Sequence, residues 1–131
     1  MFVGHYAAAF AAKTLEPKTP LWTLAAGCQL VDIGWSVFIM TGIEHASADP
    51  SLPGSGLVLS DMPWTHSLPA AAAWSVGAAV LCLALLRLGV WPSVLVGLSV
   101  FSHWLLDLVA HRPDLQLYPN GPEVGLALWN Y

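Results

Sequence analysis

Charge is what this sequence has least of. Lys, Arg, Asp and Glu together make up 9% of the 131 residues, and only four residues are basic. A soluble domain carries about 25% charged residues. The net charge of −4 and the absence of a basic patch exclude nucleic acid as a partner. Cysteine is scarce too. Cys28 and Cys82 each stand alone in an apolar run, so they read as packing residues, neither a disulfide framework nor a CxxC metal site. No internal repeat or low-complexity linker divides the chain. What is abundant is apolar: 56% of residues are hydrophobic and the mean hydropathy is +0.65. These values predict an all-α integral membrane protein built as one domain over residues 1–131, with the lipid bilayer as its first partner.

The expected architecture is a small bundle of three transmembrane helices plus a short N-terminal helix. Met1 to Ala12 is too short for an ordinary span, which needs about 20 residues. Leu21 to Ile43 is the first span, with Gln29, Asp32 and Ser36 as a polar stripe. Glu44 to Thr65 reads as a loop rich in Pro, Gly, Ser and Asp, with Leu57-Val58-Leu59 at the membrane surface. Within it Glu44, His45 and Asp61 read as solvated. The second span runs from His66-Ser67 to about Leu88, and its small residues suit close helix packing. The third runs from about Ser93 to Ala110. The tail from Arg112 mixes turn signals with an apolar end.

Lys13, Lys18 and Arg87 flank the spans on one side and place that side in the cytoplasm, in the manner of a bacterial inner-membrane protein. The Glu44 to Thr65 loop has no Lys or Arg and belongs outside, together with Arg112.

Ionisable groups inside the spans carry the functional signal. His103, Asp107 and His111 are spaced by four, so one helix face presents imidazole, carboxylate and imidazole in a row. Each ionisable group in a span costs about 2.5–3.5 kcal/mol on insertion scales. At about 1.5 Å per residue, Asp32 lies roughly 18 Å from the cytoplasmic end, His103 roughly 16 Å and Asp107 roughly 22 Å. His66 enters from the outer side, and His5 lies roughly 12 Å or more above Lys13. His5, Asp32, His66, His103, Asp107 and His111 therefore converge in the outer half of the bundle. Imidazole and carboxylate ligate zinc first, manganese or iron alternatively. His5, Asp32, His66, His103 and Asp107 are the expected metal ligands, with His111 and Ser67 supporting them. No residue is singled out as catalytic.

The order of these motifs resembles a known family. Gly4-His5 near the start, Asp32 in the first span, Thr65-His66-Ser67 and Ser102-His103-x-x-x-Asp107 are similar to the pattern of the YdjM-type inner-membrane proteins, described as membrane-bound metal-dependent hydrolases. The resemblance implies a metal at the matching His and Asp residues and a hydrolytic activity. Two other expectations stand beside it. One is a non-catalytic accessory or structural subunit of a larger membrane complex, favoured by the short chain and its many small residues. The other is a haem held axially by His66 and His103.

Overall fold

The computed structural model describes residues 3–54 and 56–130. Four helices form the body: α1 (Tyr6–Leu15), α2 (Leu21–Thr41), α3 (Leu68–Ala84) and α4 (Val90–Ala110). Two short antiparallel hairpins decorate one end, β1 (His45–Ala48) with β2 (Leu57–Asp61), and β3 (Leu115–Gln116) with β4 (Glu123–Val124). A 3-10 turn, Leu128–Asn130, follows. Helix α4 is central and packs against the other three.

Two helices, α2 and α4, are long and apolar enough to cross a membrane. The N-terminal segment forms the short helix that was expected. The expected second span is shorter than its apolar run: α3 has 17 residues, which reach about 26 Å against a hydrocarbon core of about 30 Å. The chain leaves the helix because Arg87 turns left-handed (φ 52°) and the Leu88 amide bonds back to the Cys82 carbonyl. Hydropathy continues through that turn, so the sequence pattern does not register it.

The bundle is polar inside and apolar outside at one end. Ile33 and Val37 on α2, Val76 and Val80 on α3, and Leu98 and Leu105 on α4 are exposed, while Asp32, His103 and Asp107 are buried. Small residues let the helices approach. A Cβ on Gly97 would come within 2.9 Å of the Ser75 carbonyl oxygen, and one on Gly27 within 3.3 Å of Val96. The Ser75 hydroxyl donates to the Gly97 carbonyl at 2.6 Å and ties α3 to α4.

Helix ends deliver the polar groups. Helix α2 stops at Gly42 (φ 74°), with Gly42 N–H donating to the Ile39 carbonyl and Ile43 N–H to that of Phe38. This is a Schellman turn, which reverses the chain and satisfies the last carbonyls. It drops Glu44 beneath the end of the helix, where it is 1% exposed. At α3 the Ser67 hydroxyl caps the first turn by accepting from Ala70 N–H. The last carbonyls of α4 are met by the tail: Leu126 N–H donates to Leu108 and Ala127 N–H to His111. The tail is thus folded under the site, with Leu115 fully buried against Trp104 and Ala71. Arg112 donates to the Pro53 and Leu57 carbonyls, which holds the first hairpin and the tail at the same end of the bundle. Lys13 closes the turn between α1 and α2 at the other end, donating to the Pro17 and Thr19 carbonyls.

Candidate metal centre

All six residues with expected convergence meet at one end of the bundle, and all six are buried. His5 comes from the start of α1, Asp32 from the middle of α2, His66 from just before α3, His103 and Asp107 from α4, and His111 from its cap. His103 Nε2 lies 3.4 Å from Asp32 Oδ1 and 3.2 Å from Asp107 Oδ2. His66 Nε2 lies 3.6 Å from each of the same two oxygens. His5 Nε2 and His111 Nε2 lie 3.3 Å and 3.5 Å from Asp107 Oδ1. Donor atoms of His5, His103 and Asp107 fall within 4.8 Å of one another, as do those of Asp32, His66 and His103, so each set can hold a metal ion.

Hydrogen bonds on the far side of the ring orient the imidazoles of His103, His66 and His111. His103 Nδ1 is 2.8 Å from the Cys28 carbonyl oxygen, which can only accept, so Nδ1 carries the proton. In the neutral ring Nε2 is then a lone pair, and it faces two carboxylate oxygens. It makes no hydrogen bond among the described residues, and neither does Asp32 Oδ2. His66 is fixed the same way by a longer route. Thr65 Oγ1 is 2.7 Å from Glu44 Oε2 and donates its only proton there. It must therefore accept from His66 Nδ1 at 2.8 Å, which leaves His66 Nε2 as a lone pair too. His111 Nδ1 donates to Asp114 Oδ1 at 3.1 Å, and its Nε2 faces Asp107. Three imidazoles thus have their outer nitrogen committed and their inner nitrogen turned on the carboxylates. Metal-ligating histidines are oriented in this way by carbonyl and carboxylate partners.

Distances agree with that chemistry. An N–H···O bond spans about 2.7–3.2 Å. Ligand atoms about 2.0–2.1 Å from one tetrahedral ion lie about 3.3–3.4 Å from each other. The nitrogen–oxygen separations in the cluster, 3.2–3.6 Å, fall around the second value. Burial holds His5 below its ordinary value of 6.5, against the pull of Asp107, so the ring is neutral and available as a ligand at neutral pH. Burial also pulls His111 down, but its hydrogen bonds to Asp107 and Asp114 outweigh it and leave the ring above 6.5.

Ser67 does not join the cluster. Its hydroxyl donates to the Pro63 carbonyl and caps α3, a structural role. The haem expectation also loses its geometry: the His66 and His103 rings are 5.3 Å apart, edge to face, with Asp32 and Asp107 against both inner nitrogens. A porphyrin plane has no room between them. Glu44, Thr65 and Asp114 are the residues that sequence reasoning missed. Glu44 read as a solvated loop residue; it is buried and accepts from Trp64 N–H, Thr65 N–H and the Thr65 hydroxyl. His45 and Asp61 fit the solvated reading and form an exposed pair at 2.7 Å.

No family model matches this chain, and neither does any curated protein or solved structure.

Proposed function

We propose that this chain is a membrane-bound metal-dependent hydrolase of the YdjM type, with its centre toward the outer face of a bacterial inner membrane. The observation that carries the proposal is His103: its Nδ1 is committed to a carbonyl, and its Nε2 faces two carboxylate oxygens without a hydrogen bond among the described residues. In the neutral ring this sets acceptor against acceptor in a buried site, and a cation between them would turn that repulsion into ligation. His66, His103, Asp32 and Asp107 would hold the ion, with His5 and His111 beside them. The mixed imidazole and carboxylate set suits zinc, with manganese or iron as alternatives. A metal in such a site supplies acidification of a water near neutral pH and polarisation of an ester or phosphoester. Asp32 Oδ2, buried and without a hydrogen bond among the described residues, would be the group available there to hold a proton.

The membrane disposition rests on two supports. The outward faces of α2, α3 and α4 are apolar, so α3 completes a three-helix crossing, with Trp64 ahead of α3 and Trp91 on the first turn of α4, both exposed, at the interfaces. Lys13 and Lys18 lie at the end away from the hairpin, which supports a cytoplasmic placement of that end.

Elemental analysis of the detergent-purified chain, with and without chelator, tests the reading alongside hydrolysis of a panel of carboxylic and phosphoric esters. Stoichiometric metal and chelator-sensitive turnover are expected, and His103→Ala or Asp107→Ala should abolish both. A metal-free wild type that co-purifies with a larger membrane complex would replace the proposal with the accessory-subunit reading.

A further inference from the structure

We infer that the centre is dinuclear, with Asp107 bridging two ions. This deepens the metal-centre reading and rests on it. The two oxygens of Asp107 face different histidines. Oδ1 is 3.3 Å from His5 and 3.5 Å from His111. Oδ2 is 3.2 Å from His103 and 3.6 Å from His66. Asp32 Oδ1 approaches His66 and His103, at 3.6 and 3.4 Å. The groups therefore fall into two subsites. His5 and Asp107 Oδ1 define one, with His111 turned on the same oxygen. His66, His103, Asp32 and Asp107 Oδ2 form the other. His103 lies within reach of both sets, and its nearest carboxylate oxygens assign it to the second.

Ring geometry gives a second, independent reason. The His5 and His103 rings are stacked, 3.6 Å between centroids and 14° between planes. Both turn Nε2 toward the Asp107 carboxylate. An imidazole lone pair lies in its ring plane, so with the rings stacked an ion in the plane of one lies out of the plane of the other, which favours one ion per ring even though the donor atoms are close together. The 3.6 Å stacking distance matches the separation of about 3.5–4 Å in two-metal sites, where a shared clamp holds both ions.

The test is metal content of the full chain in detergent, loaded with zinc and separately with manganese, then desalted. Two equivalents per chain are expected. His111→Ala and His5→Ala should each fall to about one, because each removes a ligand of the first subsite only. Thermal unfolding on the same samples shows that the variants are folded. Manganese-loaded wild type needs no substitution and should give the magnetic-resonance spectrum of an exchange-coupled pair. One equivalent in the wild type, or two with isolated-ion spectra, overturns the bridged pair and leaves the hydrolase reading intact. No metal at all overturns both.

Discussion

Glu44→Gln is the most informative single substitution, because it tests proton placement without moving an atom far. Glu44 Oε1 accepts from Trp64 N–H at 2.7 Å and Thr65 N–H at 3.0 Å. A glutamine must keep its carbonyl oxygen there, since its amide group would meet two donors. The amide nitrogen then takes the Oε2 position, 2.7 Å from the Thr65 hydroxyl, and donates to it. Thr65 can no longer give its proton to residue 44, so the proton turns to His66 Nδ1, 2.8 Å away. His66 Nδ1 becomes the acceptor and Nε2 carries the hydrogen, facing Asp32 and Asp107. A ring with Nε2–H cannot ligate through that nitrogen.

Loss of such an outer partner typically costs about 10–100-fold in metal affinity, or about 1.4–2.8 kcal/mol. Here the tautomer is reversed rather than merely released, so the upper part of that range applies. Chelator competition measures the affinity, and nitrogen-15 spectra of labelled histidine in the metal-free protein report which His66 nitrogen is protonated. Thr65→Ser keeps the hydroxyl and should bind like wild type; Thr65→Val removes it, releases the tautomer without reversing it and should cost less than Glu44→Gln. Wild-type affinity in Glu44→Gln, with His66 still protonated at Nδ1, would refute the relay.

Metal binding should weaken as the pH falls, because protons compete with the ion for the imidazole nitrogens, and His111, held above its ordinary value by Asp107 and Asp114, should meet that competition before His5, held below it by burial; unchanged metal content at pH 5 would contradict histidine ligation. Gly97→Ala should destabilise by about 1–3 kcal/mol, since its Cβ would press on the Ser75 carbonyl at 2.9 Å, while Gly77→Ala, with nothing within 4 Å, should not; thermal unfolding of the pair decides it. The Ser51 hydroxyl and amide hold the exposed Asp49 carboxyl below its ordinary 3.8, so the turn they form is stabilised above about pH 4 and loses that support as acid takes the pH down through the depressed value; the protection factor of the Ser51 amide, corrected for the intrinsic pH dependence of exchange, should be flat from pH 7 to 5 and fall only below that range. With the native cysteines buried, Ser51→Cys should label from the outer side and Lys18→Cys from the cytoplasmic side, and the opposite pattern would invert the orientation.

Local spacing made half of the cluster readable. His103, Asp107 and His111 are fixed to one face by helical repeat, and rise per residue brings Asp32 to a similar depth. His66 is readable only through that convergence, since it opens the second span from the outer side. What could not be read was anything set by chain reversal. Glu44 belongs to the site only because Gly42 turns left-handed and folds residue 44 back under α2, toward Thr65 twenty-one positions later. A lone acid directly after an apolar span, with Gly two residues before it, is the only trace of this in the sequence. Asp114 was hidden by its turn, since Arg-Pro-Asp reads as a helix stop and nothing local tells that the carboxylate swings back to His111.

The misses share a physical cause that bears on the site. Helical spacing can place an imidazole, but it cannot say which of its nitrogens is protonated. That choice is made by partners that spacing along one helix does not reveal: by the Cys28 carbonyl for His103, by Glu44 through Thr65 for His66, and by Asp114 for His111. Cys28 offers this carbonyl although it lies within α2, close to where α4 crosses at Gly27. The close approach that small residues permit therefore does chemical work as well as packing. A bulkier residue 27 would push α4 away, lengthen the 2.8 Å contact to His103 and release the tautomer on which ligation depends. Gly27→Val should consequently lose metal through a position that touches no ligand. Fast chelator exchange in a variant that still unfolds cooperatively would show the effect; wild-type metal retention with the same lowered stability would mean that the interhelical contact packs the bundle and nothing more.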